Sequence, residues 1–243
     1  MNMSDTGKQT VVLVHGAFAD SSSWNDVIAP LTRAGHTVIA AANPLRGLQG
    51  DAAYVRSVLE SIDGPIVVAG HSYGGTVMTV AAEGNPNVTA LVYIASFLPE
   101  VGESTGELAN KFPGNQLGTA LKAVPYPLPD GGTATDLYVE QDQFNEIFIG
   151  DVTPDVAARL AVIQRPIAQH ALADPATASA WRSIESWSLL ARQDLAVPAE
   201  AVRFMSERAG AHLVEVDASH GVTVSQPGAV ADLILEAADA TAR

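Results

Sequence analysis

Apolar positions along this chain switch repeatedly between two periods. Residues 10–14 form a short apolar run of the kind buried on both faces of a parallel sheet. Residues 24–34 then take helical spacing and stop at Gly35-His36. The same alternation predicts strands at 37–42, 65–70 and 88–96, with helices at 51–62 and 76–83. In the first of those helices Tyr54, Val55, Val58, Leu59 and Ile62 recur on one face. The pattern resumes late, with strands at 186–191 and 212–216 and helices at 198–209 and 227–240. Strands alternating with helices predict βαβ units with right-handed crossovers. The expected fold class is therefore α/β, a mainly parallel sheet flanked by helices.

Residues 100–185 break this rhythm. They are rich in Pro and Gly, show no convincing strand, and offer helical pieces at 136–149 and 154–164. So long a stretch is too large for a loop. We read residues 1–243 as one domain and 100–185 as a helical cap inserted between sheet strands, over the sheet's carboxyl edge.

Composition narrows the function. With 47% hydrophobic and 16% charged residues, the chain has the material for a sizeable core. A net charge of −14 repels phosphate backbones and anionic lipid, which argues against nucleic acid or a membrane surface as partner. Cysteine is absent, which removes disulfides, thiolate metal sites and a cysteine nucleophile. Residues 1–8 lack the apolar core of a signal peptide, and no apolar run is long enough to span a bilayer, so the cytoplasm is the expected location.

Candidate chemistry sits at the strand ends. Gly70-His71-Ser72-Tyr73-Gly74-Gly75 follows a predicted strand and precedes a predicted helix, the setting of a G-x-S-x-G nucleophile elbow. The tight turn strains the serine backbone and lifts its hydroxyl above the sheet, while side chains at 70 and 74 would collide with the neighbouring strand and helix. The helix start behind Ser72 adds partial positive charge where an oxyanion develops. In Val14-His15-Gly16-Ala17-Phe18, a turn after the first strand can aim an N–H into the same pocket. The amides of Ala17 and Tyr73 are the candidate oxyanion donors, with Phe18 as the alternative to Ala17. His15 reads as a structural histidine.

A triad of this order places its acid and then its histidine downstream. Of six histidines, His36 falls at a helix stop, His170 in the cap and His212 at a strand entry. His220 stands in the loop Asp217-Ala218-Ser219-His220-Gly221 after the last strand, the position for the base. Asp194 closes the preceding strand and is the candidate orienting acid. Asp217 is a rival better read as a loop cap, and Glu100 and Glu103 are more distant ones. No H-E-x-x-H, P-loop or G-x-G-x-x-G is present, so no metal ligand is assigned. Trp181, Trp187, Phe144, Phe148 and Tyr126 are candidates for the walls of an acyl pocket, or for ordinary packing of cap on core.

These motifs resemble α/β-hydrolases of the branch holding methyl-ester esterases and hydroxynitrile lyases. The resemblance runs through residues 11–103 and 187–237. It rests on His15-Gly16-Ala17, the Gly70–Gly75 segment, Asp194 and His220. It implies a Ser72–Asp194–His220 triad and no cofactor. The expected partner is a small-molecule ester, with Phe18 and Trp181 as the expected substrate-binding residues and a monomer or homodimer as the expected state. The lyases of that branch carry a threonine after the first histidine and a lysine after the catalytic one. Here those positions are Gly16 and Gly221, which favours hydrolysis. Ser72 excludes the aspartate nucleophile of epoxide hydrolases and dehalogenases. A cofactor-free peroxidase, a carbon–carbon hydrolase or a binding protein with the same triad are the rival readings.

Overall fold

The computed structural model describes residues 8–242. The N-terminal segment read above as lacking a signal peptide lies, save Lys8, outside the described residues. In chain order the elements are β1 Thr10–Val14, α1 Asn25–Arg33, β2 Thr37–Ala41, α2 Leu48–Glu60, β3 Ile66–His71, α3 Tyr73–Ala81 and β4 Val88–Ile94. Then come α4 Thr105–Ala109, β5 Leu121–Pro127, β6 Thr133–Val139, α5 Pro154–Ile163 and β7 Ile167–Ala168. The chain closes with β8 Glu185–Ala191, α6 Ala199–Ala209, β9 His212–Val216, α7 Val222–Ser225 and α8 Pro227–Ala240.

Six strands form one parallel sheet in the order β2-β1-β3-β4-β8-β9. Successive residues of a strand face opposite sides, and the core divides accordingly. Val12 and Val14 of β1, with Val68 of β3, join one apolar cluster; Val11, Leu13, Val67 and Ala69 join the other. Apolar layers on both faces explain why these strands are continuous apolar runs. Helix α3 is buried along its whole length, which matches a sequence apolar all round.

Strand order fixes the place of the site. The chain steps from β1 outward to β2, then returns to the other side of β1 as β3. Loops leaving β1 and β3 therefore diverge at a switch point, where parallel sheets leave a crevice above their carboxyl ends. Val14 pairs with Gly70 at that edge, so the turn after β1 meets the turn after β3.

The segment between β4 and β8 corrects one expectation. It contains an antiparallel sheet, β5-β6-β7, as well as helices. Residues 136–139, expected to be helical, belong to β6, and the helical part of 136–149 is a π-helical turn at Phe144–Phe148. Helix α5 falls where a helix is expected. Proline hid β5: Pro125 and Pro127 are tolerated because β5 is an edge strand of this sheet.

Candidate active site

Ser72 occupies the residue between β3 and α3. Its backbone takes φ 53° and ψ −127°, a left-handed region that a non-glycine residue enters only under constraint. The glycines around it make the turn sterically feasible. A Cβ on Gly74 would lie 2.2 Å from the Val14 carbonyl oxygen, and one on Gly70 would lie 2.7 Å from the Gly75 nitrogen. Helix α3 thus packs directly on β1, with Ser72 at its N-terminus. The Ser96 hydroxyl donates to the Ser72 carbonyl at 2.6 Å and holds the turn from β4's side.

The Ser72 hydroxyl donates to His220 Nε2 at 2.9 Å, and His220 Nδ1 donates to Asp194 Oδ2 at 2.7 Å. All three residues are buried. The other carboxylate oxygen of Asp194 accepts from the amides of Ala196 at 2.7 Å and Val197 at 2.8 Å. That pairing leaves the carboxylate one orientation, which holds the proton on His220 Nδ1 and leaves Nε2 free to accept.

Surrounding groups fix the imidazole from three sides. His71 Nε2 donates to the His220 carbonyl at 2.9 Å. Burial foremost, and then the nearby His220, hold the His71 pKa at about 3, so its ring stays neutral. The Phe148 ring lies 4.9 Å from the His220 ring, centroid to centroid. Asp151 accepts from the Ser219 amide at 3.0 Å and from the Ser219 hydroxyl, which ties the His220 loop to the segment after Phe148. Sequence reading missed Asp151, Ser219 and the role of His71, because no motif links residues so far apart.

A cavity of about 130 Å³ opens on Ser72. Ala17, Phe18 and Tyr73 line it beside the serine, with Phe97, Leu121, Leu172 and Val197 among its apolar walls. Ala17 and Tyr73, the candidate oxyanion donors, therefore share one chamber with the hydroxyl, as does Phe18. Trp181 does not. It is buried, its indole donates to the Pro99 carbonyl at 2.8 Å, and Arg182 and Arg208 cover its ring, so the expectation that it binds substrate is corrected. Trp187 is core, stacked on His212, and Tyr126 lies under Arg46. Phe148 lines the Ser72 chamber, and Phe144 lines a neighbouring one.

The rival residues have other partners. Asp217 pairs with Arg192, Glu100 with Arg182, and Glu103 with Arg208. His15 is buried and donates to the Gly16 carbonyl at 2.9 Å, burial lowering its pKa. His36 donates to the Gln9 carbonyl, and His212 faces Glu185. Among the described residues no three His, Cys, Asp or Glu side chains are grouped to hold a metal ion.

A serine on a strand–helix elbow at the switch point of a parallel sheet, hydrogen-bonded through histidine to a buried aspartate, defines the α/β-hydrolase class. The chain belongs to the alpha/beta hydrolase family, whose model matches residues 11–233. It is 36% identical over 113 residues to a carbendazim hydrolyzing esterase of Nocardioides sp. (strain SG-4G). That match takes in 41% of the chain and 47% of the relative, so the likeness spans about half of that protein. It is 26% identical to Methylesterase 7 of Arabidopsis thaliana, over 98% of the chain and 99% of the relative. Among solved structures it is similar to polyneuridine aldehyde esterase, with a TM-score of 0.81 at 21% identity, over 94% of the chain and 98% of that structure. This last likeness is one of fold.

Proposed function

We propose that the chain is a serine hydrolase that cleaves small to medium carboxylic esters through an acyl-enzyme on Ser72. The observation that carries the reading is the unbroken line Ser72–His220–Asp194, at 2.9 and 2.7 Å, ending in an apolar chamber. In the first half-reaction the Ser72 oxygen attacks the ester carbonyl carbon while His220 Nε2 takes its proton. The amides of Ala17 and Tyr73 donate to the oxyanion, and the start of α3 favours its charge. His220 then gives its proton to the departing alcohol oxygen. In the second half-reaction His220 activates water, which attacks the acyl carbon and frees Ser72. Asp194 holds the tautomer and stabilises the imidazolium throughout.

Chamber size bounds the acyl group. A cavity of roughly 150 Å³ accepts benzene, so about 130 Å³ suits an acyl group of about six carbons. Esterase-named relatives support the same class of reaction. Neither of the lyase side chains would have room here: a Cβ at Gly16 would lie 2.7 Å from Ser72 Cβ, and one at Gly221 would lie 2.4 Å from Ile149 Cγ2. No helix among the described residues is long and apolar enough to cross a membrane.

The test is a panel of p-nitrophenyl esters of graded acyl length, run beside Ser72→Ala. Hydrolysis that falls at least about a thousandfold in the variant is expected. Parent-level turnover in Ser72→Ala would refute the assignment.

A further inference from the structure

Two chambers adjoin across a pair of aromatic rings. The larger one, of about 130 Å³, holds Ser72, Ala17 and Tyr73. The smaller, of about 40 Å³, is walled by Phe144, Ile149, Leu160, Ile163 and Val224, and borders His71 and Gly221. Phe18 and Phe148 are the two residues common to both linings. Their rings meet edge to face, with centroids 5.8 Å apart and planes at 86°. We propose that this ring pair is a specificity-determining partition, and that the smaller chamber is the subsite for the leaving alcohol. The inference rests on the esterase reading above and adds the side of the ester that the partition limits.

Chemistry assigns the sides. When the tetrahedral intermediate collapses, the bond from the carbonyl carbon to the alkoxy oxygen breaks, and His220 Nε2 passes its proton to that oxygen. The alcohol must therefore leave on the imidazole's side, while the oxyanion stays with the amides of Ala17 and Tyr73. Phe148 lies against the His220 ring, and Gly221 and His71 flank the base in sequence or in space. The smaller chamber, bordered by His71 and Gly221 where the larger is not, is the one on that side. Its walls are mainly apolar, so it takes an alkyl or aryl group rather than a charged one. At about 40 Å³ it has room for about two carbons, and a larger alkyl or aryl group needs the space the two rings occupy.

The partition is built to stay in place. Phe18 is held at φ 60°, a left-handed conformation that surrounding structure must impose. Phe148 ends the π-helical turn Phe144–Phe148, a type of distortion frequent at functional sites. Behind the smaller chamber, Ser22, Ser23, Leu160, Ile163 and Val224 also line a broad groove. Removing a ring would therefore join the Ser72 chamber to space continuing toward that groove.

The test compares Phe148→Ala and Phe148→Leu with the parent on two series, acetate esters of methanol, butanol and benzyl alcohol, and the methyl esters of acetate, butyrate and octanoate. A weakened His220 slows every substrate alike, so the ratio of kcat/KM within a series isolates the partition. In Phe148→Ala the benzyl-to-methyl ratio is expected to rise about tenfold or more, with less than about a threefold change in the octanoate-to-acetate ratio. Phe148→Leu gives a smaller rise, and adding Leu160→Phe to Phe148→Ala refills the chamber and reverses the gain. An unmoved alcohol ratio in both variants, or a change confined to the acyl series, overturns the proposal. Fluorophosphonate labelling of Ser72 in the same proteins separates the failures. Labelled enzyme with unmoved ratios sinks the partition alone, whereas ester turnover that survives Ser72→Ala sinks the esterase reading with it.

Discussion

Gly221→Ala adds one methyl group beside the His220 imidazole, and the structure sets its cost. The backbone there has φ −76°, open to any residue, so the effect is steric. The new Cβ would lie 2.4 Å from Ile149 Cγ2 and 3.0 Å from Ile149 Cβ. Carbon atoms in ordinary contact sit about 3.5–4.0 Å apart, a shortfall of about 1 Å or more. Ile149 is itself buried and has little room to retreat. Overpacking of this kind costs about 1–3 kcal/mol, which for a chain of this length lowers Tm by about 2–12 °C. Because residue 220 is next in the chain, relief by moving the loop displaces the imidazole, and a 1 Å displacement costs about a hundredfold in kcat. Ile149→Ala should relieve the clash, so the double variant should show a coupling of about 1 kcal/mol or more. Urea unfolding followed by circular dichroism, with p-nitrophenyl acetate turnover, reads both effects. A Gly221→Ala protein within about 0.5 kcal/mol of the parent and equally active, or strict additivity with Ile149→Ala, would refute the reasoning.

Further expectations follow from the same contacts. Asp194→Asn should fold and bind ester but lose about 10⁴-fold in kcat, because the amide no longer enforces the His220 tautomer; a loss under tenfold would contradict that role. Asp151→Ala frees the Ser219 end of the His220 loop and should lower kcat about tenfold with KM little changed, as steady-state kinetics would show. His71 makes stability depend on pH. Its folded pKa of about 3 lies below the ordinary 6.5, so the unfolded chain binds the extra proton between those values. The stabilisation is complete above pH 6.5 and is lost as pH falls toward 3, by about 1.4 kcal/mol per unit. Urea titrations from pH 7 to 4 should show that slope flattened in His71→Gln; identical slopes would refute it.

The sheet and the serine–histidine–aspartate line were legible because both follow from local rules. Apolar runs in β1, β3 and β4 mark strands buried on two faces, and a Gly-His-Ser-Tyr-Gly turn between strand and helix constrains its serine sterically. His220 and Asp194 were found from their positions just after strands, since parallel strands deliver their following loops to one edge. The inserted segment was harder. Helical pattern and strand overlap in residues 136–149, and prolines in β5 argued against a strand that is an edge. One signal was present: Asp130-Gly131 between two β-branched or aromatic runs marks a hairpin turn, and Gly131 does take φ +87°. Trp181 was misplaced because an aromatic residue carries no direction in sequence, and only its bond to the Pro99 carbonyl shows which way the indole points. Asp151, Ser219 and Phe148 reach the His220 loop and ring through tertiary packing, which no spacing rule encodes.

The most direct trial of Ser72 as an activated nucleophile is peptide mapping by mass spectrometry after brief treatment with a fluorophosphonate. A single adduct per chain, on the peptide carrying Ser72 and abolished in His220→Ala, is the expected result. A folded protein that stays unmodified, or that carries its adduct on another residue, would contradict it.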